Sequence, residues 1–194
     1  MSTEGHHPAP STAPAPLPAP TDGEPLPILI APHPALRAKA RRVGPDDLGL
    51  VRGLLPKLFA TMYAAPGIGL AAPQVGVGLR LAVVDLQPGD KPAPMVLLNP
   101  EIVSASEDEV VREEGCLSLP GHYADVSRPA RVRVRYEDEA GRRHEMEADG
   151  LLAACVQHEL DHLDGVLFVD HLSPLRRNMI LRKLAKEQRA KAAG

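Results

Sequence analysis

The stretch Gln157-His158-Glu159-Leu160-Asp161-His162 closes an apolar run that begins at Leu151. Read as a helix, it sets His158 and His162 one turn apart on the same face, because residues four apart are neighbours there. Two imidazoles so placed can grip one metal ion. Glu159, on the flank of that face, can reach a metal-bound water without itself being a ligand. A Lewis acid, a nucleophile and a base are thus within one turn. The same spacing also fits the polar face of an ordinary amphipathic helix, so the rest of the chain must decide.

The helix signals are present at both ends: Asp149 as N-cap and Gly165 as stop, predicting a helix from about Asp149 to Leu163. Upstream, Arg131, Arg133 and Arg135 alternate with Val132, Val134 and Tyr136, which predicts a half-buried strand over Val126 to Tyr136. Gly141 turns it back into His144 to Ala148 as a hairpin. Downstream, Val166 to Val169 reads as a short strand, and Ser173-Pro174 opens a final helix to about Ala190. That helix carries Arg176, Arg177, Arg182, Lys183, Lys186, Arg189 and Lys191 against Glu187 alone. Leu175, Met179 and Leu184 are its expected packing side, and its cations suit an RNA-rich partner.

Towards the start, Leu26 to Ile30 reads as a strand, and Leu48 to Ala65 shows helical spacing interrupted by Pro56, predicting a kink or break. Gly67-Ile68-Gly69-Leu70-Ala71-Ala72-Pro73-Gln74-Val75-Gly76 predicts an extended loop along a cleft wall. Its glycines admit close backbone approach, and it lacks the Lys-Ser/Thr ending of a phosphate loop. Gln74 there offers an amide donor to a polarised oxygen. Leu79 to Leu86 and Met95 to Leu98 read as strands, the second closed by Asn99-Pro100, with a further strand over Ile102 to Glu109. Glu113-Glu114-Gly115-Cys116 places a thiol behind a glycine and two acids.

Composition narrows the class. With 194 residues, 44% of them hydrophobic, the chain can bury one sizeable core. A net charge of -3 does not suggest a nucleic-acid binder overall. The two cysteines, Cys116 and Cys155, make no disulfide framework. No stretch of about twenty apolar residues is free of charge, so no membrane span is expected. Residues 1–25, with prolines almost alternating from Pro8 to Pro20, are expected to be a disordered tail, and they lack the basic start and apolar centre of a signal peptide. A cytoplasmic protein is the default expectation.

A catalytic metal site wants three protein ligands and one open position. Beyond His158 and His162, the candidates are Cys116, Cys155, another histidine or a downstream acid. Cys155 shares the helix with the His pair, and one helix cannot easily wrap three short ligands around an ion, so it reads as wall. Asp164 and Asp170 follow too closely for the long connection of thermolysin-type proteases. Cys116, on a separate segment, can approach from outside. A thiolate with two imidazoles suits Fe(II), Co, Ni or Zn.

Gly-Ile-Gly-Leu-Ala-Ala-Pro-Gln (67–74), Glu-Gly-Cys-Leu-Ser-Leu-Pro (114–120) and Gln-His-Glu-Leu-Asp-His-Leu-Asp-Gly (157–165) resemble the three signature motifs of the peptide deformylases, in that family's order. The resemblance runs from about Leu26 into the last helix. It implies an α+β fold, with short antiparallel sheets around the metal-bearing helix, in a catalytic domain over 26–172 and a basic C-terminal helix over 173–194. It implies a monomeric hydrolase that removes the formyl group from N-formylmethionyl peptides as they are made. The metal ligands would be Cys116, His158 and His162, around Fe(II) most naturally, with Zn, Ni or Co as substitutes. Glu159 would be base and then acid, and Gln74 and the backbone N–H of Leu117 would stabilise the oxyanion. Gly69 would bind substrate backbone, and Ile68, Glu114, Gly115, Leu151, Ala154 and Cys155 would line the methionine pocket. Tyr123 and His122 stand where members vary, often with arginine in place of Tyr123. Asp161 is expected in a buried ion pair or behind the ligands, with Arg128 as partner. The C-terminal helix resembles the family's ribosome-docking helix. Two rivals stand beside this reading. A zinc peptidase would use the same helix with a downstream ligand, and a silent metal-binding module riding on the ribosome would need neither Glu159 nor Gln74.

Overall fold

A computed structural model describes residues 23–193. The expected tail therefore lies almost wholly outside the described residues. Seven strands and three α-helices follow in order. They are α1 (Leu48–Ala64), β1 (Gly69–Ala71), β2 (Leu81–Val84), β3 (Met95–Ala105), β4 (Glu109–Cys116), β5 (Leu119–Pro129), β6 (Arg131–Glu137), β7 (Arg143–Asp149), α2 (Gly150–Leu163) and α3 (Pro174–Ala192). Five strands form one antiparallel sheet in the order β1-β2-β3-β6-β7, and β4 and β5 form a second, two-stranded sheet. The fold is α+β, as expected.

Side-chain alternation along β2 and β3 sorts the core. Leu81 and Val83 of β2, with Val96 and Leu98 of β3, face Val51, Leu55, Leu58, Phe59 and Met62 of α1. Val84 and Leu97 point the other way, with Val132, Val134 and Tyr136, onto Ala153, Val156 and Leu160 of α2. Because residues along a strand alternate faces, one sheet separates the two helices, and β2, covered on both sides, is buried at every position. The metal-binding helix is thus held against a wall that α1 supports from behind.

Local chemistry explains where the element boundaries depart from the sequence reading. Leu26 to Ile30 is extended but joins no sheet. Pro27 interrupts any ladder, and single bonds replace it, Leu26 N–H to Thr61 Oγ1 at 2.8 Å and Leu29 N–H to the Gln74 carbonyl at 2.8 Å. Asn99-Pro100 does not end a strand. β3 passes through it with a register shift, and Asn99, at φ +50°, turns its side chain to bond both the N–H and the carbonyl of Val43. The expected strand over Val126 to Tyr136 is two, parted at Ala130. Val166 to Val169 is no strand: Phe168–His171 forms a 3-10 turn whose start is fixed by Leu167 N–H donating to the Asp170 carboxylate at 2.8 Å. The expected loop at 67–76 is instead β1 followed by a 3-10 turn over Ala72–Val75, and α1 runs unbroken through Pro56. On α3, Leu184 is buried as expected, but Leu175 and Met179 are 81% and 61% exposed; Ile180 and Leu181 take their place against the body.

Candidate metal centre

α2 begins at Asp149, in extended conformation at the N-cap, and stops at Gly165, φ +74°. Its apolar stripe, Ala153, Val156 and Leu160, seats it on the sheet, which turns His158 and His162 towards the end of β4. There Cys116 Sγ lies 3.2 Å from His162 Nε2, which lies 3.2 Å from His158 Nε2. One donor atom from each of the three residues lies within 4.8 Å of the others. These spacings are close to the edges, about 3.3–3.6 Å, of a tetrahedron around an ion held at about 2.1 Å by nitrogen and about 2.3 Å by sulfur. The donor set and its spacing therefore fit a metal ion. Burial first, then the charges of His158 and Arg128, keep His162 well below its ordinary pKa, as a neutral ligand requires.

The His158 ring is oriented from behind. Its Nδ1 lies 3.1 Å from Glu114 Oε2, and its ring stacks at 6.5 Å on Phe168. Burial works against the Glu114 carboxylate, yet its bonds from His158 and Arg128 hold its pKa down to about 2. Arg128 grips Glu114 with Nε at 2.5 Å and Nη2 at 3.0 Å, and reaches Asp161 with Nη1 at 2.9 Å. The expected Arg128–Asp161 pair is present, and His171 Nε2 adds a contact of 2.7 Å to the same Asp161 oxygen. Metal-bound histidines commonly direct their second nitrogen to a carboxylate, which fixes the ring and its tautomer. The sequence reading places Glu114 only in the pocket wall. Strand alternation, which puts Glu114 and Cys116 on one face, is the signal that could have found its second role.

Glu159 is buried, and its Oε2 has no hydrogen-bond partner among the described residues. Burial pushes its pKa up to about 7, with the His158 charge opposing and that of Glu114 adding. Such a carboxyl is poised between accepting and releasing a proton near neutral pH. The backbone of β1 passes so close that a Cβ on Gly69 would meet Glu159 Oε1 at 2.3 Å and Cys155 Sγ at 2.9 Å. Only glycine leaves room there for the carboxylate. Gln74 is held by the turn after β1: its Oε1 accepts from Ala71 N–H at 2.9 Å. Its Nε2 is thereby directed at Ser118 Oγ, 3.1 Å away, and Cys116 Sγ, 3.7 Å away.

A cavity of about 570 Å³ opens onto these groups. Gln74, Cys116, Leu117, His158 and Glu159 line it, as do Ile68, Gly69, Glu114, Gly115, Leu151, Ala154 and Cys155, while His162 is buried behind. Burial pushes the Cys155 thiol well up, so it stays protonated against the cavity. Asp164 and Asp170, the acids a peptidase reading would use, are engaged elsewhere. Asp164 pairs with Arg80 at 2.7 Å, and Asp170 with Arg37 and Arg177.

The polypeptide deformylase family profile matches residues 25–178. This chain belongs to the peptide deformylase family. It is 53% identical over 169 residues to a peptide deformylase of Mesorhizobium japonicum, covering 87% of this chain and 96% of the relative. A peptide deformylase of Xylella fastidiosa is 54% identical over 166 residues, 84% and 96% of the two chains. Among solved structures, the Legionella pneumophila peptide deformylase superposes with a TM-score of 0.77 at 46% identity, covering 88% of this chain and 99% of its own. The Synechococcus elongatus peptide deformylase, solved in complex with actinonin, gives 0.77 at 47% identity, covering 82% and 87%. The family is metal-dependent and acts on formylated peptides.

Proposed function

We propose that this chain deformylates nascent polypeptides with Cys116, His158 and His162 holding one Fe(II) ion, for which Zn, Ni or Co can substitute. The donor set supports that ion class, since thiolate and imidazole suit these metals. When bound, the ion supplies Lewis acidity, lowering the pKa of a water in the open position towards neutrality. Glu159, with Oε2 unengaged among the described residues, would take a proton from the attacking water and direct its oxygen at the formyl carbon. The Gln74 amide and the Leu117 N–H donate to the oxygen that becomes negative as the carbon turns tetrahedral. Glu159 then returns the proton to the amine, the carbon–nitrogen bond breaks, and formate and a free N-terminus leave. Gly69 holds the substrate backbone through its own. Ile68, Glu114, Gly115, Leu151, Ala154 and Cys155 enclose the methionine side chain, in the groove where actinonin-type ligands are expected to bind as well.

The observation that carries the reading is the unpartnered, buried Glu159 carboxyl beside the three-ligand cluster; a closed structural site has no use for a base. It is tested by formate release from a formyl-Met dipeptide, with protein prepared without oxygen and loaded with Fe(II) or Ni(II). The native protein turns over, and Glu159→Ala falls by at least about 10²-fold with its metal content unchanged. Equal rates would remove Glu159 from the mechanism.

We further assign residues 26–172 to the catalytic domain and 173–194 to a docking segment, in a monomer that works in the cytoplasm at the ribosome. No helix among the described residues is long and apolar enough to cross a membrane. On α3, Arg182, Lys183, Lys186 and Lys191 have no ion-pair partner among the described residues, and Leu175 and Met179 stand exposed one turn apart. A cationic helix with an apolar step suits a surface of RNA and protein.

A further inference from the structure

The single acid of the C-terminal helix, its side chain 41% exposed, reaches a buried histidine of β5. Glu187 is the only acidic residue after Asp170 in a segment crowded with Lys and Arg. It lies one turn beyond the buried Leu184, which seats α3 against Leu119 and Val126 of β5. Its Oε2 lies 3.0 Å from Nε2 of His122, a ring only 6% exposed in the same strand. Alternation along β5 sends His122 towards α3 and the next residue, Tyr123, to the opposite face, where it is 64% exposed; both residues border the cavity. The Tyr123 ring lies over Gly115, across the β4–β5 pair, so closely that a Cβ there would be 2.5 Å from ring carbon Cε1. One contact from the helix therefore anchors the segment that presents an exposed aromatic face beside the substrate cavity.

We propose that the C-terminal helix is a working part of the substrate groove: through Glu187 and His122 it positions Tyr123 to receive an apolar residue that follows the formylmethionine. The inference rests on the deformylase reading and goes beyond it. The methionine itself is enclosed by side chains deeper in the cavity, whereas the residues after it must leave past the mouth, where a flat apolar ring rewards apolar or aromatic side chains. A helix tied to that mouth also links whatever α3 docks upon to the grip on the emerging chain. Glu187 is a positioning residue outside the cavity; His122, which borders it, passes the helix contact on to Tyr123.

The test compares KM and kcat for formylmethionine amide, which has no following residue, with those for formyl-Met-Phe-Phe amide. Glu187→Ala raises KM for the longer peptide about fivefold, the worth of one net hydrogen bond. It leaves kcat for both and KM for formylmethionine amide unchanged. Glu187→Gln, which keeps a hydrogen-bonding amide opposite His122, restores most of the loss. His122→Ala raises the same KM, and the double variant is no worse than either single one, as expected of two residues acting through one contact. Tyr123→Ala loses the preference for Phe outright. Unchanged KM, an equal rise for both substrates, or additive losses would overturn the proposal. Failure of the native, metal-loaded protein to cleave either substrate would instead overturn the deformylase reading, and this inference with it.

Discussion

At the scale of the residue, the site is a set of constraints passed from one side chain to the next. Glu114 holds the far nitrogen of His158 and so fixes the ring beside Cys116 and His162, and Glu114 stays ionised although buried because Arg128 grips both its oxygens. Glu114→Gln keeps the shape but removes the charge that fixes the His158 tautomer, and it leaves Arg128 facing an amide. Metal affinity is expected to fall by about 10–100-fold. Chelator competition at fixed pH measures this directly, independent of turnover. An unchanged dissociation constant would reduce Glu114 to cavity lining, the role its sequence position alone suggests. The tie is hard to read because Glu114 and Arg128 are 14 residues apart and meet only once the register of β4 on β5 is fixed. The two histidines, by contrast, share a helix, where spacing alone places them together.

At the scale of the element, the structure departs from the sequence reading wherever a boundary depends on a partner elsewhere. Asn99-Pro100 looks like a strand end, yet Asn99 is held by Val43, which no local pattern shows. The β6–β7 hairpin is legible because its alternation and Gly141 are local, and its turn carries its own lock. Asp138 accepts from Ala140 N–H and Arg142 N–H, both at 2.9 Å, and bonds the Arg142 and His144 side chains at 2.8 Å. Burial raises its pKa, but these bonds outweigh burial and lower it to about 2. A carboxylate whose pKa is lower folded than unfolded adds stability at pH above its ordinary value, about 3.9, and loses it as pH falls through the folded value. Urea denaturation should therefore show a loss between about pH 4 and pH 2 that Asp138→Asn lacks. The variant should be less stable at pH 6 by about 1–2 kcal/mol. Parallel profiles for the two proteins would show that the turn does not depend on the charge.

At the scale of the whole molecule, charge is divided by region. The net charge is -3, yet the last helix carries seven Lys or Arg against one acid, so the remainder is distinctly acidic. Some acids of the body are taken up in pairs, as where Arg131, Arg133 and Arg135 meet Asp108, Glu147 and Glu145 across the sheet surface. The cations of α3 are left facing outward while Leu184, Ile180 and Leu181 hold the helix to the body. This placement can be read in the sequence for the charges but not for the apolar residues, since a helix with so few of them does not announce which ones pack. If the outward face docks on ribosomal RNA, each lysine near a phosphate displaces counterions, and binding must weaken linearly with the logarithm of salt. Lys183→Ala with Lys186→Ala should lower that slope by about 1–2 units, roughly one for each phosphate no longer neutralised. Neither lysine supports the core, so turnover of formylmethionine amide should stay at the native rate, separating docking from catalysis in one protein. A salt slope identical to that of the native chain would remove these lysines from any RNA contact. Docking would then fall to the remaining cations, Arg182 and Lys191 among them, and to the exposed step of Leu175 and Met179, whose share is nearly indifferent to salt.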